Sequence, residues 1–197
     1  MASHLGLLGV LQALREHLSI RMAARLGGNP QVEILGSQAL TGTPQADTDT
    51  LGIYLHRISV DPFSRNRHLP PAPGHRLARP EFPVNLHLLL IAWCTHTEQE
   101  INYLSTAIQI LGGGFLLAST DLSLADPEWG DEGVQVMPEE MSNEDLMRLW
   151  DSLPGDYRLS APYLIKTVRL APDVDQDEGP PVRTLVFPAG DRGGARQ

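Results

Sequence analysis

The 197-residue chain is poor in the side chains that most often carry chemistry or lock a small fold. It has a single cysteine, Cys94, so no disulfide can form within the chain. Cys94 sits in the apolar run "LHLLLIAWCTH", where a thiol is expected to serve as a small buried hydrophobe, not as a nucleophile or ligand. Aromatic residues make up 6% of the chain, and 15 Lys and Arg face 24 Asp and Glu. The net charge of -9, with no basic arm, argues against nucleic-acid binding, which needs clustered cations to displace counterions from phosphate. No run approaches the ~18 apolar residues of a membrane span. The opening "MASHLGLLGVLQALREHLS" lacks the charged start and unbroken apolar centre of a secretory signal. The expectation is a cytoplasmic protein with neither nucleic acid nor membrane as partner.

Catalytic and cofactor motifs are equally scarce. His56 and His87 fall in strand patterns with no Cys, Asp or Glu at ligand spacing, and His68 and His75 lie in a proline-rich loop with no helical His pair. His96 follows Cys94 closely, but no third group orients the pair. The glycines of "LGGGFLL" follow a helical pattern instead of opening one, and no Lys-Ser/Thr completes a phosphate loop, so they read as a helix stop. Glu139 with Glu140 reads as a helix-entry cluster, and Asp131 with Glu132 as a solvated loop. No metal, cofactor or catalytic residue is expected.

What the chain does hold is patterning. Its length suits one domain with an extension. Leu7, Leu11, Leu14, Leu18 and Met22 recur at helical spacing until "GGNP" stops them. "QVEILGS" and "LGIYLHRISVD" read as strands around an exposed loop, with Tyr54, His56, Ile58 and Val60 on one face of the second. "VNLHLLLIAWCTHT" is apolar on both faces, as at the centre of a helix-covered sheet. Thr97 with Glu100 matches a capping box opening a helix whose stripe is Ile101, Leu104, Ala107, Ile108 and Leu111. "DLSLAD" and "VQVMPEE" read as two short strands, Ser142 with Asp145 as the capping box of a third helix, and "YRLSAPYLIKTVRL" as a long strand. The order predicts an α+β fold, with helices packed on a mainly antiparallel or mixed sheet over residues 1–171.

Two segments stand outside that domain pattern. Residues 62–83 carry six prolines, four arginines and two histidines against one acid, and read as a long basic loop. From Asp121 to Asp151 ten acids face the single Arg148, so the chain could present complementary surfaces to a neighbour, as ring-forming subunits do. Residues 172–197 form an acidic, proline-bounded linker and an arm with one β-type run, "VRTLVFP". That run either folds back as an edge strand or is donated to a partner's sheet, with Val182, Thr184 and Val186 on one face and Arg183, Leu185 and Phe187 on the other.

These stretches together resemble the cap or tail-terminator family of contractile injection systems, the phage-tail-like particles that include Photorhabdus virulence cassettes and antifeeding prophages. The resemblance spans about residues 5–170. It is carried by "LGVLQALREHL", "LGIYLHRISVDPFSRNRHLPP", "PVNLHLLLIAW" with "EQEINYLSTAIQIL", and above all "MSNEDLMRLWDSL" followed by "YRLSAPYLIKTVRL". In the last pair Leu146, Leu149, Trp150, Tyr157, Arg158 and Ser160 match the family's pattern, and these positions look structural.

The resemblance implies a non-enzymatic homohexameric ring at the distal end of the inner tube, contacting tube protein and holding the last ring of sheath protein. The arm residues Val182 to Phe187 would then join a sheath subunit, and Arg65, Asn66, Arg67, Arg76 and Arg79 would meet the ring or the tube. The chain ends shortly after the arm strand, so functions tied to a longer C-terminal region of some relatives are not expected. The alternative reading is a free adaptor that binds an extended peptide by β-strand addition.

Overall fold

The sheet is built around one apolar strand. In the computed structural model, which describes residues 2–42, 49–64 and 81–171, β3 (Phe82–Trp93) is buried along almost its whole length. Its neighbours are β2 (Thr50–Val60) and β6 (Ser160–Leu170), both antiparallel to it. Outside them lie β1 (Gln31–Leu35), β5 (Val134–Pro138) and β4 (Phe115–Leu117), giving the order β1-β2-β3-β6-β5-β4. Among the described strands only β1 and β2 pair in parallel, so the sheet is mixed but mainly antiparallel, and the α+β expectation holds.

Alternation along β3 divides the core. Val84, Leu86, Leu88, Leu90 and Ala92 face one side and join the larger cluster. That side is covered by α1 (Gly6–Leu26) and α2 (Thr97–Leu111), with α3 (Ser119–Ala125) packed on α1. Leu89 and Ile91 face the other side, where they meet Leu40 and Trp150 in a smaller cluster under α4 (Asn143–Asp151). Leu40 comes from a single 3-10 turn, Ser37–Leu40, that the sequence pattern did not indicate.

Local chemistry explains most boundaries. α1 buries Val10, Leu11, Ala13, Leu14, Leu18 and Met22, and ends where Gly27 takes φ 71°, a conformation costly for residues with a Cβ. Gly9 lets α3 come close, since a Cβ there would stand 3.2 Å from the Ala125 Cβ. α4 has the expected N-cap, though not the reciprocal backbone bond of a capping box: the Asp145 N–H donates to Ser142 Oγ at 3.1 Å, and it is the Ser142 hydroxyl that donates to Asp145 Oδ2 at 2.7 Å.

Five local expectations are corrected. "DLSLAD" is helix, not strand: α3 covers most of it, and the strand lies upstream in β4. The period of two was misleading because, of its two leucines, only Leu122 is buried, while Leu124 is 86% exposed. Thr97 is not an N-cap; His96 holds that place in extended conformation without a side-chain bond, and Thr97 is the first helical residue. Ile101 and Ile108 are exposed, so the buried stripe of α2 narrows to Leu104, Thr106, Ala107 and Leu111. β6 begins at Ser160, leaving Tyr157 and Arg158 in the connection before it.

The fifth correction concerns β2. Leu55 pairs with Leu88 and Arg57 with His87, so His56 is an extra residue, a β-bulge. Beyond a bulge the alternation inverts. Ile58 and Val60 therefore lie on the side of Leu86 and Val84, while Arg57 and Ser59 lie on the side of His87, and Tyr54 does not share a face with Ile58.

Candidate functional site

The six residues that carry the family resemblance come together on the α4 side of the sheet. Trp150 is 3% exposed and packs in the smaller cluster with Leu40, Leu89 and Ile91, flanked by Leu146 and Leu149. Its indole N–H donates to Ser160 Oγ at 3.1 Å, which ties the end of α4 to the first residue of β6. The Tyr157 ring meets the indole edge-on, 5.8 Å between centroids at 69°. Arg158 lies 5.1 Å from the centre of the Trp93 ring, and its Nη1 reaches Glu100 Oε1 of α2 at 3.3 Å. The group is a latch between helix and sheet, so Trp150 is a packing anchor.

Below the latch the same face turns polar. His87 projects from the centre of β3 with Nδ1 2.6 Å from Glu139 Oε1 and Nε2 2.7 Å from Ser59 Oγ. Arg57 Nη2 lies against the ring, 3.2 Å from Nε2 and 3.4 Å from Nδ1. The Glu139 carboxylate accepts from Nδ1–H, which leaves Nε2 to accept the Ser59 hydroxyl proton in the neutral tautomer. Nearby, His56 Nε2, Asn85 Oδ1 and Glu139 Oε2 are buried with no hydrogen-bond partner among the described residues. Burial pushes the His56 pKa down foremost; Glu139 opposes that shift, while His87 and Arg57 reinforce it.

Chemically, Ser59, His87 and Glu139 form the hydrogen-bond order of a hydrolase relay. Their setting differs from that of a nucleophile site: Ser59 lies mid-strand in register with Asn85, not on the sharp strand-to-helix turn that thrusts a nucleophile into a cleft. What the chain of contacts does is tie β2, β3 and the residue after β5 together across the sheet. Sequence reasoning missed it because Glu139 is 52 positions from His87, so no local spacing could reveal the pair. The readable signal was Asn85 and His87 at alternate positions of an otherwise apolar strand.

At the distal end of β2, Asp61 anchors the turn. It is 5% exposed and accepts from the Phe63 N–H at 3.0 Å, the Ser64 hydroxyl at 2.8 Å and the Thr167 hydroxyl at 3.0 Å. Cys94 is fully buried, and burial first, then Asp49 and Glu100, push its thiol up to about 12. Among the described residues no group of three or more His, Cys, Asp and Glu is placed to hold a metal ion, and no helix is long and apolar enough to cross a membrane. Arg65, Asn66, Arg67, Arg76 and Arg79, and the arm Val182, Arg183, Thr184, Leu185, Val186 and Phe187, lie outside the described residues.

The sheet and its helices have solved counterparts. The sheath/tube terminator of PVC, an extracellular contractile injection system, in its extended state superposes with a TM-score of 0.55 at 18% identity, covering 96% of this chain and 65% of that one. The tube-terminating cap of the anti-feeding prophage superposes with a TM-score of 0.55 at 19% identity, covering 90% of this chain and 59% of that one. The chain thus spans about 65% and 59% of the lengths of these structural relatives. No curated protein matches the chain by sequence. The family described as the Pvc16 N-terminal domain matches residues 9–184, nearly the whole chain, and the protein belongs to that family.

Proposed function

We propose that the protein is a structural terminator of a contractile injection particle, a ring-forming cap that ends the inner tube and holds the last ring of sheath. The observation that carries this reading is family membership over residues 9–184 together with a fold shared, over 96% of the chain, with a sheath/tube terminator. In this reading the protein is not an enzyme: its well-formed contacts are the Trp150 latch and the His87 tie, both of which fix surfaces in place. Its partners are further copies of itself as a homohexamer, the tube protein and the sheath protein. The Val182 to Phe187 run is the arm that joins sheath, and the arginines between Arg65 and Arg79 meet a neighbouring copy or the tube. The protein's place is in an assembled particle, made in the cytoplasm and open to release. Electron microscopy of particles carrying a gold-labelled copy tests this directly: label at the end opposite the baseplate is expected, and label elsewhere or nowhere contradicts it.

One observation favours a second reading. β1 pairs with β2 only from Thr50 to Tyr54, so among the described residues the outer edge of β2 beyond Tyr54 has no strand neighbour. A free adaptor would add a peptide strand there. Peptide binding to a protein that never enters a particle would select that reading.

A further inference from the structure

On the α4 side of β3 the apolar positions Ile91 and Leu89 give way, toward the start of the strand, to His87 and Asn85, which are 5% and 8% exposed. Buried polar groups of this kind need hydrogen-bond partners, and here the hydrogens run out. The neutral His87 ring gives its one N–H to Glu139 Oε1 and its lone pair to the Ser59 hydroxyl. Nothing is left for Glu139 Oε2, Asn85 Oδ1 or His56 Nε2, which have no partner among the described residues. The first two can only accept, whereas His56 Nε2 becomes a donor when the ring is charged. A proton is a ligand that such a place can take without a cavity.

We infer that His56, His87 and Glu139 form a proton-operated switch, which holds the distal end of β2 to the sheet while both rings are neutral and releases it when both are charged. The switch goes beyond the terminator reading and does not depend on it. The distal end is the part of β2 with least else to hold it. The bulge at His56 breaks the register with β3, and β1 pairs with β2 only as far as Tyr54, so among the described strands Arg57 to Val60 have one neighbour. Besides that pairing, the contacts of Arg57 and Ser59 with His87 hold it from within, and the Asp61 turn holds it from beyond. Segments with few ties are the first to open.

Arg57 makes the charge on the ring decisive. Its Nη2 lies 3.2 Å from His87 Nε2, and a guanidinium can only donate, so the contact is favourable while Nε2 holds a lone pair and repulsive once it holds a proton. Ser59 can turn its hydroxyl and accept; Arg57 has no such option. The His56 ring stands 6.0 Å from the His87 ring between centroids. Glu139 favours charge on His56, while burial, His87 and Arg57 oppose it. β5 carries no titratable side chain, and Glu140, Lys166 of β6 and the Glu144–Arg148 pair of α4 are exposed to solvent. With both rings charged, three cations face one carboxylate. The stability supplied by the neutral state is therefore whole above about pH 6.5 and is lost as the pH falls through the folded values.

Amide hydrogen exchange of the full chain at pH 7.5 and pH 5, corrected for the intrinsic pH dependence of exchange, tests the switch. On acidification residues 57–60 are expected to lose about tenfold in protection beyond any loss in α1 or at the centre of β3. Arg57→Gln, at an exposed position, puts a group that can accept in place of one that can only donate; it is expected to fold normally and to remove most of that loss. His56→Gln is expected to act in the same direction. Imidazole NMR gives an independent reading, in which Arg57→Gln raises the titration midpoint of His56 because one opposing cation is gone. Protection at 57–60 that acid leaves unchanged, that falls equally through the whole sheet, or that falls as far in Arg57→Gln would overturn the switch. A loss confined to α1 and α3 would assign the acid response to His17 and overturn it as well.

Discussion

His87 Nδ1 lies 2.6 Å from Glu139 Oε1, joining the centre of β3 to the residue that follows β5. The pair sits on the half of the sheet that α4 leaves uncovered, and it does for that half what Trp150 and its apolar neighbours do for the other. Removing one partner strands the other in a buried setting, which costs more than the pair itself contributes. His87→Leu and Glu139→Leu are each expected to lower stability by on the order of 3 kcal/mol, and the double substitution by clearly less than the sum. Urea unfolding of the four proteins measures this; strict additivity would mean that the two side chains do not depend on each other.

Trp150 gives a second, separable prediction. Trp150→Ala opens a cavity beneath α4 and is expected to destabilise the isolated protein by about 3–5 kcal/mol. Trp150→Phe keeps much of the packing but loses the bond to Ser160, with a loss of about 1–2 kcal/mol relative to the native chain. Thermal unfolding of the unassembled protein is the check. A Trp150→Ala protein that melts normally yet fails to assemble would make the residue a contact between subunits instead.

Acid should loosen the fold through its histidines. His56 and His17 both titrate below the ordinary histidine value, in each case chiefly because burial disfavours the charged form; for His17 Arg21 adds to the shift and Asp121 opposes it. The unfolded chain therefore binds protons that the folded chain resists, so this stability is fully present above about pH 6.5 and is lost as the pH falls through the folded values. The melting temperature is expected to drop between about pH 7.5 and pH 5, and to drop less in His56→Gln. An equal drop in both proteins would remove His56 from the account.

Cys94 should be inert while the chain is folded. With its thiol pushed up to about 12, almost no thiolate exists at neutral pH, and the side chain is out of solvent. Iodoacetamide labelling is expected to be slow in buffer and fast in denaturant. Rapid labelling of the native protein would reopen a nucleophilic role.

Much of this architecture was legible because the sequence repeats at the right periods. The α1 leucines, the apolar run of β3 and the Ser142 N-cap each gave their element, and the order of elements gave the α+β class. The failures have physical causes. In "DLSLAD" two leucines alternating with polar residues suit a strand and a short helix equally, and packing on α1 decided for helix. The bulge at His56 inverted the faces of β2, which no alternation pattern can announce. The His87 and Glu139 pair was hidden because sheet pairing brings together positions that spacing keeps apart. Ile101 and Ile108 fit a helical stripe yet lie outside the core, since α2 touches the sheet along a narrower line than its sequence offers.

The most direct test of the central claim is the length distribution of injection particles assembled without this protein and with it restored, measured by negative-stain electron microscopy. A terminator predicts tubes or sheaths that are missing, unstable or broadly variable in length without it, and a single sharp length on restoration. Particles of unchanged length and stability in its absence would contradict the account.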